Sequence, residues 1–166
     1  MNKSLGTYNM FDNKGINKSI ENILKSNINF NTYTTPKGLK ELRIEISKFL
    51  YRIWKYEVDY NNMLITTGSQ QSINIISSSL INDGDVVLIE QPTYFGALEV
   101  FKKRNIKLVG IDIKEDGINL TDLERKIIKY SPKFIYVVPT FNNPTGYSWS
   151  NKNRKEFLKI ILLASS

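Results

Sequence analysis

Residues 82–94 read Asn82-Asp83-Gly84-Asp85-Val86-Val87-Leu88-Ile89-Glu90-Gln91-Pro92-Thr93-Tyr94. The first four residues form a turn. The next four are an unbroken apolar run that ends at Glu90-Gln91-Pro92. A strand with one face in water alternates apolar and polar residues, whereas a short continuous run suits a strand covered on both faces.

The neighbouring stretches repeat this pattern. Met63-Leu64-Ile65-Thr66-Thr67 is a short apolar run ending at Gly68, and Lys107–Ile113 and Phe134–Val138 read as two more strands. Helical spacing separates them: Gln70–Ile81 with Ile73, Ile76, Leu80 and Ile81 on one side, then Tyr94–Arg104, Asp122–Tyr130 and a final helix 151–164. Thr121 is the expected N-cap of the third of these, with Glu124 completing a capping box. Glu115-Asp116-Gly117 is a turn, and 142–147 a loop. Strands alternating with helices predict an α/β fold, a three-layer sandwich around a mostly parallel sheet. Upstream, the first 30 residues are polar and Asn-rich, with one helical stretch at Ile16–Leu24. They read as an amino-terminal arm (1–30). An entry helix region (31–61) follows, where Leu39, Leu42, Ile46, Phe49, Leu50 and Ile53 form one apolar face. The sheet-bearing domain is expected over 62–166.

Composition removes much chemistry. The 166 residues contain no His and no Cys. That rules out Ser-His-Asp and Cys-His nucleophiles, Cys/His zinc sites and disulfides within the sequence; no metal site is expected. Carboxylate, lysine or tyrosine chemistry remains, or a borrowed cofactor. The net charge of +7 is dispersed among acids, and residues 58–101 hold five acids and no Lys or Arg. A dedicated nucleic-acid face is therefore not expected. No run approaches the ~20 apolar residues of a spanning helix, and no early apolar stretch resembles a signal sequence. A cytoplasmic protein without membrane contact is the expectation.

Parallel sheets bind ligands beyond the carboxyl ends of their strands. Three clusters lie there. Gly68-Ser69-Gln70-Gln71 can turn sharply into a helix whose free N–H groups and dipole attract an anion, phosphate above all; an ordinary glycine turn with a serine cap fits the same residues. Tyr94, at a helix start, can stack on a flat ring or simply line the core. Asn143-Pro144-Thr145-Gly146 can aim an amide at a phenolate or carboxylate oxygen, or can be no more than a turn. Together the three supply an anion cradle, a stacking ring and a hydrogen-bond donor, the parts needed to hold a phosphorylated aromatic cofactor.

These same stretches carry a family resemblance. Ile65-Thr66-Thr67-Gly68-Ser69-Gln70-Gln71, the run from Asp83 to Tyr94, and Pro139-Thr140-Phe141-Asn142-Asn143-Pro144-Thr145-Gly146 resemble the fold-type-I pyridoxal 5′-phosphate (PLP) aminotransferases of class I/II. The 2-aminoadipate/kynurenine-type enzymes are the branch indicated, together with regulators that fuse such a domain to a winged-helix DNA-binding domain. The resemblance runs from about Asn29 to Ala164. It implies that Gly68, Ser69 and Gln70 hold the cofactor phosphate and that Tyr94 stacks on the pyridine ring. Asn143 would bond the ring hydroxyl oxygen and orient the substrate carboxylate. Tyr33 would reach the phosphate of a neighbouring subunit in a homodimer, although a helix-entry aromatic is the plain alternative. Arg43 is read as structural. The substrates implied are an amino acid and a 2-oxo acid.

The family also uses an aspartate on the pyridine nitrogen, a Schiff-base lysine and a carboxylate-binding arginine, all after the Asn-Pro-Thr-Gly loop. Only 20 residues follow Gly146, so the resemblance places all three beyond Ser166 and leaves no catalytic residue among those present. The expectation is the first part of a PLP-dependent transferase large domain, truncated and inactive alone, from a split, truncated or frameshifted gene. The alternative is a fragment of a regulator's effector domain.

Overall fold

In the computed structural model, which describes residues 12–26 and 35–164, the apolar run at 86–89 lies at the centre of the sheet. It forms β1 (Val86–Gln91), which is flanked on both sides by parallel neighbours. β2 (Lys107–Lys114) pairs in the register Val86↔Lys107 to Gln91↔Asp112. β4 (Phe134–Tyr136) pairs in the register Val87↔Phe134 to Ile89↔Tyr136. The order across the sheet is β3-β2-β1-β4, where β3 (Gly117–Ile118) is a two-residue antiparallel strand opposite Ile113 and Lys114. A strand this short leaves no periodicity to read, and the sequence there shows only a turn.

Cα packing divides the chain into two units, Met1–Ile65 and Thr66–Ser166. The first contains α1 (Asn13–Lys25) and α2 (Lys40–Trp54). Asp12 caps α1 by accepting from the Gly15 N–H at 2.9 Å. Arg43 of α2 is buried, and its guanidinium donates to the carbonyls of Tyr60 (2.6 Å) and Gly38 (3.3 Å). A buried cation satisfied by backbone acceptors holds the turn at the start of α2 to the segment that follows it. The strand expected over 63–67 is not formed. The Ile65 N–H donates instead to the Lys37 carbonyl at 3.0 Å, so this backbone is tied to the turn ahead of α2 rather than to a ladder.

In the second unit, helices cover both faces of the sheet. Successive side chains of β1 point to opposite faces. Val87 and Ile89 pack with Ala97 and Phe101 of α4 (Phe95–Lys102) and with Ile73 of α3 (Ser69–Leu80). Leu88 packs on the other face with Ile111, with Leu123 of α5 (Leu120–Tyr130), and with Trp149, Phe157 and Ile160, the last two from α6 (Asn151–Ala164). The result is the three-layer α/β arrangement that the alternation implies. Phe101 is fully buried, with its ring 5.7 Å from Tyr136 and 6.5 Å from Phe134.

α5 starts earlier than its capping box suggests. Asn119, not Thr121, is the cap: its side chain accepts from the Asp122 N–H at 3.3 Å. The β2–β3 hairpin decides this, because the Asn119 N–H is already bonded to the Asp112 carbonyl at 2.8 Å and the helix must begin from there. Asp122 is then buried between Lys126 (2.5 Å) and Arg125 (2.6 Å). Burial alone would raise its carboxyl, but the hydrogen bonds from Lys126 and Arg125 more than offset that and hold it below the ordinary aspartate range.

A depressed folded-state value stabilises the fold above the unfolded aspartate range, and that contribution is lost as pH falls through the folded value. Asp122→Asn should therefore cost about 1–2 kcal/mol at neutral pH. Urea denaturation at a series of pH values should show variant and parent converging in acid.

Candidate functional site

Parallel neighbours end on the same side, so the carboxyl ends of β1 and β4 share one edge of the sheet. Tyr94 follows β1 as the residue that opens α4, and Asn143 lies in the loop that follows β4. α3 leads back into β1 through the 82–85 turn, which brings its amino end to this edge. Ile73, one turn into α3, packs against the same cluster as Tyr94.

At the start of α3, Gly68 has φ +114°, a conformation that side-chain-bearing residues rarely adopt, and nothing lies within 4 Å of where a Cβ would be. The first N–H of the helix to bond internally is that of Ser72, to the Gly68 carbonyl at 3.3 Å. The N–H groups of Ser69, Gln70 and Gln71 therefore face out of the helix start. The Gln71 side chain braces the turn by accepting from the Thr67 N–H at 2.6 Å and from its hydroxyl at 3.0 Å. The side chains of Ser69 and Gln70 are exposed, with no partner among the described residues. Such a terminus can take an anion.

Tyr94 is half-buried, and its ring passes over Gly96, where a Cβ would lie 2.5 Å from ring atoms. The absence of a side chain at Gly96 sets the position of that ring, and no sequence pattern marked the glycine. Tyr136 is nearby: burial, then the charges of Glu90 and Tyr94, push its phenol above the usual tyrosine range. The Thr93 hydroxyl is buried without a hydrogen-bond partner among the described residues.

The two adjacent asparagines have different surroundings. Asn142 is buried and fully engaged. Its amide nitrogen donates to Glu90 Oε2 (3.2 Å), and its amide oxygen accepts from the Thr145 hydroxyl (3.0 Å). Its N–H donates to the Tyr147 carbonyl (2.7 Å), and its carbonyl accepts from the Gly146 N–H (2.6 Å). Asn143 is exposed, and its amide has no partner among the described residues. Sequence reasoning passed over Glu90, which is entirely buried and accepts from three groups: the Val138 N–H (2.5 Å), Asn142 and the Trp149 indole (2.8 Å). A Glu closing an apolar strand was the only signal available. Tyr33 lies outside the described residues.

A groove of about 560 Å³ lies elsewhere, along the outer edge of β4 between α5 and α6, where Ile135, Val137 and Phe157 are among its walls. Its lining is mainly aliphatic and aromatic. Lys133 is its one ionisable group, so the strand-end edge is the better candidate for chemistry.

The family model described as aminotransferase class I and II matches residues 4–162. Over 133 residues the chain is 32% identical to aromatic-amino-acid aminotransferase 1 of Thermococcus litoralis, a match that spans 77% of this chain and 32% of that one. It is 30% identical to YisV, an uncharacterized HTH-type transcriptional regulator of Bacillus subtilis, over 77% of this chain and 26% of that one. Among solved structures it is similar to LysN, the alpha-aminoadipate aminotransferase of Thermus thermophilus complexed with N-(5′-phosphopyridoxyl)-L-leucine. The TM-score is 0.84 at 26% identity, covering 95% of this chain and 39% of that one. The chain thus spans about a third of the length of the curated relatives it matches.

Gly96→Ala forces the Tyr94 ring to move. Helix propensity favours the substitution by up to about 1 kcal/mol, and overpacking opposes it by about 1–3 kcal/mol. The Tyr94 ring resonances should shift with little change in far-UV circular dichroism, and the urea midpoint should fall slightly.

Proposed function

The chain belongs to the class I and II aminotransferase family, and from that premise we propose that its strand-end residues hold PLP in a protein that moves an amino group between an amino acid and a 2-oxo acid. We assign residues 1–30 to the arm, 31–61 to the entry helix region and 62–166 to the cofactor-binding part of the large domain. The observation that carries the reading is the set of unspent groups on one sheet edge. Among the described residues, Ser69, Gln70 and the N–H groups beside Gly68 have no partners, and neither does the Asn143 amide.

These groups fit the cofactor's chemistry. A phosphate needs several N–H and O–H donors near a helix start, and the space beside Gly68 admits it. A pyridine ring needs an aromatic face, which Tyr94 offers. Its ring hydroxyl oxygen needs a donor, the Asn143 amide, which would also orient the substrate carboxylate. When bound, PLP supplies the electron sink of the reaction. The roles assigned to residues of this chain are binding and orientation. Tyr33 would reach the phosphate of a neighbouring subunit in a homodimer. A second reading, the PLP-binding effector domain of a regulator, is favoured by the similarity to YisV. A winged-helix pattern encoded upstream of Met1 would select it.

Calorimetric titration with pyridoxamine 5′-phosphate, which has no aldehyde to react with surface lysines, tests the cofactor site. Saturable binding is expected, weakened about tenfold (~1.4 kcal/mol) by Asn143→Ala. Absence of saturable binding, or affinity indifferent to both Asn143→Ala and Ser69→Ala, would refute the assignment.

A further inference from the structure

The loop from Val138 to Trp149 is held by two side chains of opposite charge, neither of which belongs to it. Glu90, at the end of β1, accepts the loop's donors: the Val138 N–H, the Asn142 amide and the Trp149 indole. Arg154, in the first turn of α6, donates to the loop's acceptors: the Pro139 carbonyl (2.6 Å), the Thr140 hydroxyl (2.9 Å) and the Trp149 carbonyl (3.2 Å). The ends of the loop are also joined directly by the Trp149 N–H to the Pro139 carbonyl at 3.0 Å.

We infer that Glu90 and Arg154 are positioning residues, which hold this loop so that the Asn143 amide is presented at the strand-end edge. The inference rests on the cofactor reading of Asn143 given above. A fully buried carboxylate is costly unless its oxygens are met by donors. Here all three donors are neutral, and among the described residues no ion pair includes Glu90. The backbone N–H and the indole can only donate, so an acceptor-only side chain suits the position. The hold passes to the next residue through Asn142, whose four polar groups are all engaged, leaving the Cα of Asn143 little freedom. An apolar side chain of similar volume would fill the same space but would leave the Val138 N–H, the Asn142 amide and the Trp149 indole without their acceptor.

The experiment uses the full 166-residue chain with ¹⁵N-labelled tryptophan. Its two indoles are internal controls, since Trp54 is 68% exposed and Trp149 is 4% exposed. The Trp149 indole N–H should exchange far more slowly than that of Trp54. Glu90→Gln, equal in size, turns an N–H₂ toward a donor and should speed Trp149 exchange about tenfold. It should also weaken pyridoxamine 5′-phosphate about tenfold. In an Asn143→Ala background, Glu90→Gln should change that affinity less than about twofold, because the loop acts through Asn143. Should Glu90→Gln fail to fold, Trp149→Phe replaces it. That variant removes one donor, keeps an aromatic edge on Phe157 and, in a uniformly ¹⁵N-labelled sample, should speed exchange of the Val138 amide. Unchanged exchange in the variant overturns the inference, as do Glu90→Gln and Asn143→Ala effects that multiply independently. If the parent chain does not bind pyridoxamine 5′-phosphate, the cofactor reading fails and the presentation of Asn143 fails with it; the exchange rates then decide separately whether Glu90 holds the loop.

Discussion

The carboxylate of Glu90 lies fully buried at the end of the strand around which the sheet is built. A charge in that position must be met by hydrogen bonds, and the groups that meet it come from β4's continuation, from the Asn142 side chain and from Trp149. Each bond therefore joins a distant stretch of chain to β1. Trp149 belongs to the core on the α5/α6 face, so the bond that satisfies Glu90 also anchors that core to the sheet. The loop between Val138 and Trp149 inherits its shape from these contacts and from Arg154 on its other side.

The sheet itself is asymmetric in how it is covered. β1 has neighbours on both sides and helices on both faces, as its unbroken apolar run requires. β4 has a similar composition but a neighbour on one side only among the described residues, and an apolar groove runs along its outer edge. The solved relative LysN, superimposing at a TM-score of 0.84, is matched over only 39% of its length. Much of the architecture that this relative builds thus lies outside the matched region.

Much of the architecture was legible in the sequence because it depends on local periodicity. The continuous apolar run at 86–89 became β1, the stretch read as a strand over 107–113 became β2, and helical spacing located α3 to α6 within a residue or two. The misreadings have a common cause. Residues 63–67 have strand composition, but a strand needs a partner, and the Ile65 N–H finds Lys37 instead. Thr121 has the better capping signature, but the hairpin delivers the chain to Asn119. In the strand-end loops the residue types suggested ligand chemistry, while Glu90 and Gly96 were invisible because their importance lies in what touches them.

The Asn142-Asn143 pair shows where the boundary falls. From sequence alone, the chain's alternation determined a mostly parallel α/β sheet, and its motifs marked the stretches that the fold brings to one sheet edge, because hydrophobic periodicity and turn chemistry act over neighbouring residues. Two identical amides in succession cannot be told apart that way. Only the tertiary structure decided that Asn142 is engaged internally, because Glu90 comes from 52 positions away to meet it, while Asn143 has no side-chain partner among the described residues.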